Sequence, residues 1–411
     1  MCPLGLALAL LICMGCTRDA THDLPDDTLP PDPAYRAQED RASPAEGSRE
    51  RAARLASSLD DRLLTAQVLM SGIDGKAPAL PEDMQALLAY SPVGGIMLFK
   101  YNLDTEKGAI RAFLDRCSAD IAAVFAQEGV PLAIPPFIAV DHEGGAVHRF
   151  GPEVGRLPEP AWFWDLAQNQ GRDYALRELE AQALRSGKEI HALGITMNFA
   201  PVAETLDEEN RSFLEARSYG PDPSFTGPAV QAFIRGMEGA GVACVVKHFP
   251  GNTGTDPHKA RAVLPADRQA LKRMTRTFAE AVRDSRPSGI MVSHIVVPAW
   301  DQRRNASLSP RVIREWLRGE LGFTGIVMGD DFTMAAVADS GLPLEAAVVE
   351  ALNAGLDMVM TWPRNLRSVH QAILTALKEG RLPRERLKEA VERILFEKIR
   401  YGLIEEHEDG L

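Results

Sequence analysis

Short apolar runs recur along the chain beyond residue 63, and longer amphipathic stretches separate them. Most of the runs are continuous rather than alternating, which is typical of parallel strands that are buried on both faces. The runs predict eight strands, at Gln67–Ile73, Gly94–Phe99, Phe137–Asp141, Ile195–Pro201, Ala243–Phe249, Gly289–Ile295, Gly325–Asp331 and Asp357–Trp362.

The stretches between the runs repeat their apolar residues at intervals of three and four, as amphipathic helices do. A first helical pattern starts at about Ser48. Further helices are predicted at Arg172–Leu193, Phe225–Gly239, Asp267–Arg283, Pro310–Leu321, Leu342–Asn353, Leu366–Lys378 and Pro383–Tyr401. Eight strands that alternate with helices predict an α/β fold of the (β/α)8 TIM-type barrel class. We expect one catalytic domain over residues 51–405, a tail at 406–411 and no C-terminal second domain.

The N-terminal segment has a different character from the rest of the chain. The apolar run Leu4–Cys13 is too short to span a membrane and has the length of a signal-peptide core. The run leads into Met14-Gly15-Cys16, which resembles a bacterial lipoprotein signal in which Cys16 becomes the lipidated first residue. Residues 17–50 are rich in proline and acids and predict a linker. We expect an exported, membrane-anchored lipoprotein; a cytoplasmic protein with an unprocessed N-terminus is the alternative.

Composition narrows the classes of partner. The chain has 411 residues, and 45 Lys and Arg against 57 Asp and Glu give a formal net charge of −12. No long basic run occurs, which disfavours a nucleic-acid partner. No GxGxxG follows an early strand and no Walker loop is present, so a nucleotide-binding fold is disfavoured. Cys117 and Cys244 are expected to be separate core residues rather than a disulfide. The chain is expected to be a monomer.

Ionisable residues stand at the carboxyl ends of several predicted strands. They are Asp141, Lys247, His248, His294 and Asp330. In a TIM barrel these strand ends form the active-site face. Because burial of such groups is costly unless they are paired, stability alone is a poor explanation for so many of them.

Asp330 follows an apolar run directly. Its carboxylate could attack an anomeric carbon and form the covalent intermediate of a retaining glycosidase. Asp331 is expected to point away, since side chains alternate along an extended strand. The alternative is that both acids cap a helix predicted over Thr333–Ala338.

His258 follows Asp256 by two positions in a small-residue loop after the strand Ala243–Phe249. A neighbouring carboxylate raises the pKa of an imidazole and fixes its tautomer, which suits general acid–base catalysis near neutral pH. The alternative is a surface histidine that lies beside an aspartate by chance.

Long hydrogen-bond donors accompany these residues. Arg149, Arg217, Lys247 and His248 are suited to binding sugar hydroxyls, and Asp141 is a matching acceptor. The alternative is that these groups form internal ion pairs that hold the barrel mouth together.

A series of sequence blocks occurs in order along the chain, mostly at predicted strand ends. The blocks are Val93–Phe99, Ala139–Gly145, Asn198–Val202, Arg217–Gly220, Lys247–Gly251 followed by Asp256 and His258, and Leu321–Gly325 leading into Asp330 and Asp331. In these blocks the chain resembles the single-barrel N-acetyl-β-glucosaminidases of glycoside hydrolase family 3. The resemblance covers roughly Leu63 to Leu403.

The resemblance implies a set of roles. Asp330 corresponds to the nucleophile, and His258, assisted by Asp256, to the acid/base. The sugar-binding residues correspond to Asp141, Arg149, Arg217, Lys247 and His248. The family uses no metal or organic cofactor. The implied reaction removes terminal β-linked N-acetylglucosamine from a peptidoglycan-derived or other amino-sugar oligosaccharide by double displacement with retention.

The chain departs from the family pattern near the predicted acid/base. Asn252-Thr253 stand where the family has His-Gly, and the loop from there to Asp256 is shorter. Ala146 replaces a usual arginine, and Glu204 replaces a usual aspartate. The change at Asn252-Thr253 and the shorter loop bear on how His258 reaches the glycosidic oxygen and on which leaving groups fit.

Other functions remain open from the sequence. A family 3 β-glucosidase or an N-acetylglucosaminide phosphorylase would share the barrel. A metal-dependent hydrolase could draw ligands from Asp141, His142, His248, Asp256 and His258, although no HxH or HExxH motif occurs. An inactive sugar-binding lipoprotein would bind sugar without turnover; the short loop favours it, and the intact catalytic candidates argue against it.

Overall fold

The structure describes most of the predicted catalytic domain. The computed structural model describes residues 44–76, 80–103, 105–127, 134–257 and 259–404. The predicted signal segment with Cys16, and the linker up to residue 43, lie outside the described residues. His258 also lies outside them.

Eight parallel strands pair in chain order and close into a barrel, as the sequence predicts. Strand β1 aligns Met70 with Gly95 of β2 on one side and with Met360 of β8 on the other, which closes the sheet. The strands are β1 Leu69–Gly72, β2 Gly95–Leu98, β3 Phe137–Val140, β4 Met197–Asn198, β5 Ala243–Phe249, β6 Gly289–Val292, β7 Ile326–Asp331 and β8 Met358–Thr361.

Helices follow the strands and cover the outside of the barrel. The α-helices are α1 Pro44–Ser58, α2 Asp61–Gln67, α3 Glu82–Tyr90, α4 Lys100–Leu103, α5 Lys107–Gln127, α6 Pro160–Gln170, α7 Arg172–Ala192, α8 Arg211–Leu214, α9 Pro223–Glu238, α10 Arg268–Met274, α11 Arg276–Asp284, α12 Ala335–Ala338, α13 Leu344–Ala354, α14 Pro363–Lys378 and α15 Arg384–Arg400. Short 3₁₀ helices span Glu215–Arg217 and Ala306–Leu308, and a π-helix spans Arg311–Glu320.

The first helix begins earlier than predicted. Helix α1 starts at Pro44 rather than near Ser48, so residues 44–50, which were assigned to the linker, are helical. The helix packs on α15, and Arg49 in its first half lies over the Phe396 ring, 4.8 Å from its centroid. Tertiary packing therefore extends a helix that the local composition of this segment does not favour.

Two predicted helices differ in form, and five other helices are not predicted by the sequence pattern. The stretch predicted as Asp267–Arg283 is two helices, α10 and α11, which meet at Thr275. The Thr275 hydroxyl donates to the Leu271 carbonyl (2.8 Å), a local bond that competes with helix continuation. The stretch predicted as Pro310–Leu321 is the π-helix. The sequence pattern does not predict helices α3, α4, α5, α6 and α8.

The strands are buried on both faces. In β2, Met97 lines the cavity inside the barrel, so the neighbouring Ile96 and Leu98 face the surrounding helices, and all three side chains are at most 1% exposed. Cys117 and Cys244 are buried free thiols, which confirms their prediction as separate core residues. Among the described residues, no helix combines the length and apolarity needed to cross a membrane.

Candidate active site

One cavity of about 350 Å³ lies at the carboxyl end of the barrel strands and gathers most of the predicted site residues. Those that line it are Asp141, Arg149, Arg217, Lys247, His248 and Asp330. Residues from widely separated parts of the chain meet here because parallel strands end at the same edge of the barrel. The predicted convergence of these six residues is therefore what the structure shows.

Lys247 lies between two carboxylates. Its ammonium nitrogen is 2.6 Å from an oxygen of Asp141 and 2.6 Å from an oxygen of Glu143. Arg149 reaches the second oxygen of Asp141 (3.1 Å), and Arg217 donates two bonds of 2.8 Å to Glu143. The alternative of internal ion pairs thus holds in part, because the five groups form one network while still facing the cavity.

The network fixes the charges of its members. Burial alone would raise the pKa of Glu143, but the nearby Lys247 and Arg217 lower it well below the usual range. Burial also opposes the charge of Lys247, yet Asp141 and Glu143 raise its pKa above the ordinary value. Arg217 behaves likewise, with its pKa raised by Glu143 against the effect of burial. These side chains are therefore charged throughout the neutral range.

His248 is held by Glu204. Its Nδ1 lies 2.7 Å from a Glu204 oxygen, and its backbone N–H bonds the same oxygen at 3.2 Å. Glu204 also accepts hydrogen bonds from the backbone N–H (2.5 Å) and the side-chain amide (3.1 Å) of Asn252. Two of the departures from the family pattern, Glu204 and Asn252, thus contact each other, and Glu204 holds the ring of His248, a residue that lines the cavity.

Asp330 is a partly buried carboxylate beside basic groups. Burial would raise its pKa, but His248, His294, the Asp331 backbone N–H and Lys247 together lower it below the ordinary value. Its Oδ1 accepts the Asp331 N–H at 2.8 Å. Burial lowers the pKa of His294, whereas the pKa of Lys247 is raised, so Lys247 remains a cation at neutral pH. Asp330 is therefore ionised near neutrality.

The expectation that Asp331 points away from the site was wrong. Asp331 lines the cavity together with Asp330. The pairing of β7 with β8 changes register between Met328 and Asp331, so simple alternation of sides fails at this strand end. Its oxygens are already engaged, one by the Trp362 indole N–H (2.6 Å) and the other by the N–H and hydroxyl of Thr333 (2.8 Å each).

His294, predicted at a strand end, does not line the cavity. Its Nδ1 lies 2.7 Å from the Ser307 hydroxyl and its Nε2 lies 3.1 Å from the Asp331 carbonyl. Its side chain is fully buried and contacts the backbone at the end of β7. Its role in the structure is to position the segment that carries Asp330 and Asp331.

Asp256 is not among the residues that line the cavity. It forms an ion pair with Lys259 (3.1 Å), and its backbone carbonyl accepts the Lys259 and Ala260 N–H groups. The Ala336 N–H donates to the Pro257 carbonyl (3.2 Å), which ties this loop to helix α12. The pairing of Asp256 with His258 falls on a residue outside the described ones and stays a prediction.

Two glycines shape the turn that carries Glu143. Gly144 and Gly145 have φ of 105° and 54°, a region that side chains disfavour. A Cβ on Gly144 would lie 2.1 Å from the Pro158 carbonyl oxygen. The chain therefore turns sharply directly after β3, which places Glu143 in the network.

Apolar side chains complete the cavity wall. They are Met97, Phe99, Val147, Phe199, Phe213, Met291, Met360 and Trp362. The rings of Phe99 and Trp362 stack with centroids 4.9 Å apart. An apolar wall facing a cluster of polar groups suits a sugar, whose ring carbons are apolar and whose hydroxyls are polar.

Some site residues were missed at the sequence level. Glu143 stands in the block that follows β3, and the double glycine after it was the available signal for a turn at a strand end. Phe99 and Trp362 are the last residues of two predicted strands, but aromatic residues at such positions are usually core residues. Glu204 departs from the family pattern, but no local pattern indicates its role, because its partners His248 and Asn252 lie far along the chain.

The described residues offer no metal centre. No group of three or more His, Cys, Asp or Glu among them is arranged to hold a metal ion. His142, a candidate ligand in the metal-hydrolase alternative, is buried with its Nε2 2.8 Å from the Ser186 hydroxyl.

The chain is similar in sequence to known glycoside hydrolases. The sequence matches the profile of the glycosyl hydrolase family 3 N terminal domain over residues 60–396. The beta-hexosaminidase of Alkalilimnicola ehrlichii is 34% identical over 301 residues, which cover 71% of this chain and 79% of that protein. The matched family region therefore includes every strand of the barrel and every residue of the cavity.

Two further relatives are longer than this chain. Beta-hexosaminidase A of Pseudoalteromonas piscicida is 29% identical over 343 residues, which cover 77% of this chain. The solved structure of a glycoside hydrolase family 3 beta-N-acetylglucosaminidase from Paenibacillus sp. str. FPU-7 is 30% identical, with a TM-score of 0.75 over 86% of this chain. The chain spans 54% of the former protein and 65% of the latter chain.

Proposed function

Because the chain belongs to glycosyl hydrolase family 3, we propose that it is a retaining, exo-acting β-N-acetylhexosaminidase that removes terminal β-linked N-acetylglucosamine. One observation carries the proposal most directly. Asp330 is an ionised, partly buried carboxylate at the wall of a cavity that also presents charged donors and apolar side chains. The choice of N-acetylglucosamine as the sugar is supported by the names of the relatives, beta-hexosaminidase and beta-N-acetylglucosaminidase.

Asp330 acts as the nucleophile. Its carboxylate oxygen forms a bond to the anomeric carbon while the bond to the glycosidic oxygen breaks and that oxygen gains a proton. Water then attacks the same carbon, its proton passes to the acid/base group, and Asp330 leaves as a carboxylate. Two inversions give net retention. Lys247 and the Asp331 N–H stabilise the carboxylate in the free enzyme, and they are placed to stabilise it again as it leaves.

The charged network binds the sugar. Asp141 offers carboxylate oxygens to hydroxyls, and Arg149 and Lys247 donate hydrogen bonds beside it. Because the ion pairs hold these side chains in place before substrate arrives, little side-chain entropy is lost on binding. His248, fixed by Glu204, adds a ring nitrogen on the same wall.

His258 with Asp256 is our proposal for the acid/base. It depends on the sequence pattern Asp256-Pro257-His258 and on the position of this loop directly after β5. An imidazole paired with a carboxylate can donate a proton to the leaving oxygen and then accept one from water.

The first test compares two substituted carboxylates. The purified protein is assayed with the 4-nitrophenyl N-acetyl-β-glucosaminide and the β-glucoside, and the anomer formed first is identified by NMR. We expect turnover of the N-acetyl sugar with the β-anomer released first. Asp330→Asn should lower kcat by about 10⁴-fold or more, as loss of a nucleophile does. Asp331→Asn is the matched control and should lose far less, since its oxygens bind Trp362 and Thr333.

Several outcomes would overturn parts of the proposal. Full activity of Asp330→Asn would remove the nucleophile assignment, and initial release of the α-anomer would contradict retention. A sugar phosphate formed when phosphate is added would instead favour a phosphorylase. Folded protein without turnover of either substrate would favour the inactive sugar-binding alternative.

We also propose that the protein is exported and anchored through a lipid on Cys16, with peptidoglycan-derived amino sugars as substrate. The proposal rests on the signal-like residues 1–16 and the Pro-rich segment after them. Mass spectrometry of the mature N-terminus should find lipid on Cys16, and Cys16→Ser should move the protein from the membrane fraction to the soluble fraction. Recovery of the intact N-terminus from the cytoplasm would contradict this localisation.

A further inference from the structure

A row of three aromatic rings runs from the cavity to the protein surface. Trp362 and Phe99 line the cavity, with ring centroids 4.9 Å apart and planes inclined by 24°. Tyr101 follows, with its ring parallel to that of Phe99 within 1° and the two centroids 6.0 Å apart. At this separation parallel rings are offset sideways, so the row presents a continuous apolar strip. Tyr101 is 46% exposed.

The exposed ring is held in place. The Tyr101 hydroxyl donates to the Ile73 carbonyl (3.0 Å), and the Asn102 side-chain amide donates to the same carbonyl (3.1 Å). The Asn102 carbonyl oxygen in turn accepts the Phe99 backbone N–H (2.9 Å). The segments after β1 and β2 are thereby tied together, and an exposed aromatic ring is fixed in one orientation. Ordering an exposed side chain costs entropy, and a ligand that uses the ring would benefit from that order.

The inner end of the row is equally constrained. A Cβ on Gly72 would lie 2.9 Å from a carbon of the Trp362 ring, so the indole packs directly on the backbone of β1. The indole N–H bonds Asp331 (2.6 Å), the neighbour of Asp330. The strip therefore begins beside the proposed nucleophile and continues outward past the cavity.

We propose that Phe99 and Tyr101 form a second subsite that binds the sugar on the leaving side of the scissile bond. The inference rests on the proposed function, because an exo-acting enzyme holds the terminal sugar in the cavity and must place the next pyranose toward the exit. A pyranose has an apolar face of C–H groups that packs on aromatic rings. The strip is continuous with the cavity through Phe99, which belongs to both. The preferred substrate is thus an oligosaccharide rather than a glycoside of a small alcohol.

The test compares substrates with and without a second ring. N,N′-diacetylchitobiose has a pyranose on the leaving side, whereas N-acetyl-β-glucosaminyl fluoride has none; aryl glycosides are avoided because their own ring could stack on Tyr101. Tyr101→Ala should lower kcat/KM for the disaccharide by about fivefold to tenfold relative to the fluoride, as expected for loss of one stacked ring. Tyr101→Phe, which keeps the ring, should retain most of the preference. Tyr90→Ala, at another exposed tyrosine, is the matched control and should not change the ratio.

Binding provides a second measurement that does not need turnover. In the Asp330→Asn background, calorimetry should find that the disaccharide binds more tightly than N-acetylglucosamine, and Tyr101→Ala should remove the difference. An unchanged ratio and an unchanged affinity difference in Tyr101→Ala would overturn the subsite, as would equal losses on both substrates. Absence of turnover by the wild-type protein would contradict the proposed function instead, while the binding comparison would still decide the subsite.

Discussion

Glu143 is ionised although its side chain is only 1% exposed, and its environment explains how. Two cations share its oxygens, Arg217 through two bonds and Lys247 through one. A buried carboxylate with such partners contributes little net stability compared with an apolar side chain of the same shape, but removing it leaves buried cations uncompensated. At the residue scale, the site is therefore sensitive to single substitutions that leave a charge without a partner.

Glu143→Gln should reduce the free energy of unfolding by about 3–5 kcal/mol, because Lys247 and Arg217 lose a buried counter-charge. Chemical denaturation at neutral pH would measure the change. Glu180→Gln is the control, since Glu180 pairs with Arg235 at an exposed site where each side chain is more than 40% accessible. The control should change stability by less than about 1 kcal/mol. Equal effects of the two substitutions would contradict the argument.

The effect of Glu143→Gln should also depend on pH. Because the pKa of Glu143 is lower in the folded protein than in the unfolded chain, its contribution is complete above the ordinary glutamate pKa of about 4.3 and is lost progressively as the pH falls below it. The difference in unfolding free energy between wild type and variant should therefore be largest near neutrality and shrink below about pH 4. A difference that grew on acidification would indicate the opposite sign of the pKa shift.

At the scale of elements, close packing of α7 on α9 depends on residues without side chains. A Cβ on Gly236 of α9 would lie 2.6 Å from the Cβ of Ala183 in α7 and 2.6 Å from the Glu180 carbonyl oxygen. On α7, a Cβ on Gly187 would approach that of Ala240 to 2.7 Å. At Gly236 the two helices meet backbone to backbone, and at Gly187 the backbone of α7 meets the side chains of Ala240 and Met237. Periodicity predicted both helices, but it could not show which face required glycine.

Gly236→Ala should destabilise the protein although alanine is the better helix former by about 1 kcal/mol, because the added methyl group meets the backbone of α7. Thermal unfolding of the variant would show a lower midpoint. Gly108→Ala in α5 is the matched control, since nothing lies within 4 Å of its added Cβ and the residue is exposed. The control should be neutral or more stable than wild type, and a stabilised Gly236→Ala would contradict the packing argument.

At the scale of the whole molecule, one carboxylate joins several elements at the amino end of the barrel. Asp357 is fully buried directly before β8 and pairs with Arg386 (2.8 Å) and Arg393 (3.1 Å) of α15. It also accepts bonds from Arg318 of the π-helix and from the Val327 N–H of β7 (2.9 Å). Burial would raise the pKa of Asp357, but the three guanidinium groups lower it below the usual value.

Asp357→Asn should lower the free energy of unfolding by about 3–5 kcal/mol, because three guanidinium groups lose their shared anion. The kcat of the molecules that remain folded should be unchanged, since the cavity lies at the other end of the strands. Glu389→Gln, at an exposed partner of Arg386 and Arg393, is the control and should change stability by less than about 1 kcal/mol. Loss of kcat without loss of stability would contradict this separation of the two ends.

The sequence by itself determined the barrel and the position of Asp330 within it. Buried parallel strands read as apolar runs, helices read as periods of three and four, and both patterns are local, so eight strands could be located without knowing their neighbours. Asp141, Lys247 and His248 could be placed at the mouth for the same reason, since strand ends in a barrel share one edge.

Only the tertiary structure decided which side chains meet there. Three contacts join residues that lie far apart in the chain. Glu143 and Asp141 both compensate the charge of Lys247, Glu204 binds His248 and Asn252, and Trp362 stacks on Phe99. Register changes at the ends of β5 and β7 also set which residues face the cavity, and alternation along a strand does not predict them. Pairings across the barrel follow from closure of the sheet, a property that no local stretch of sequence contains.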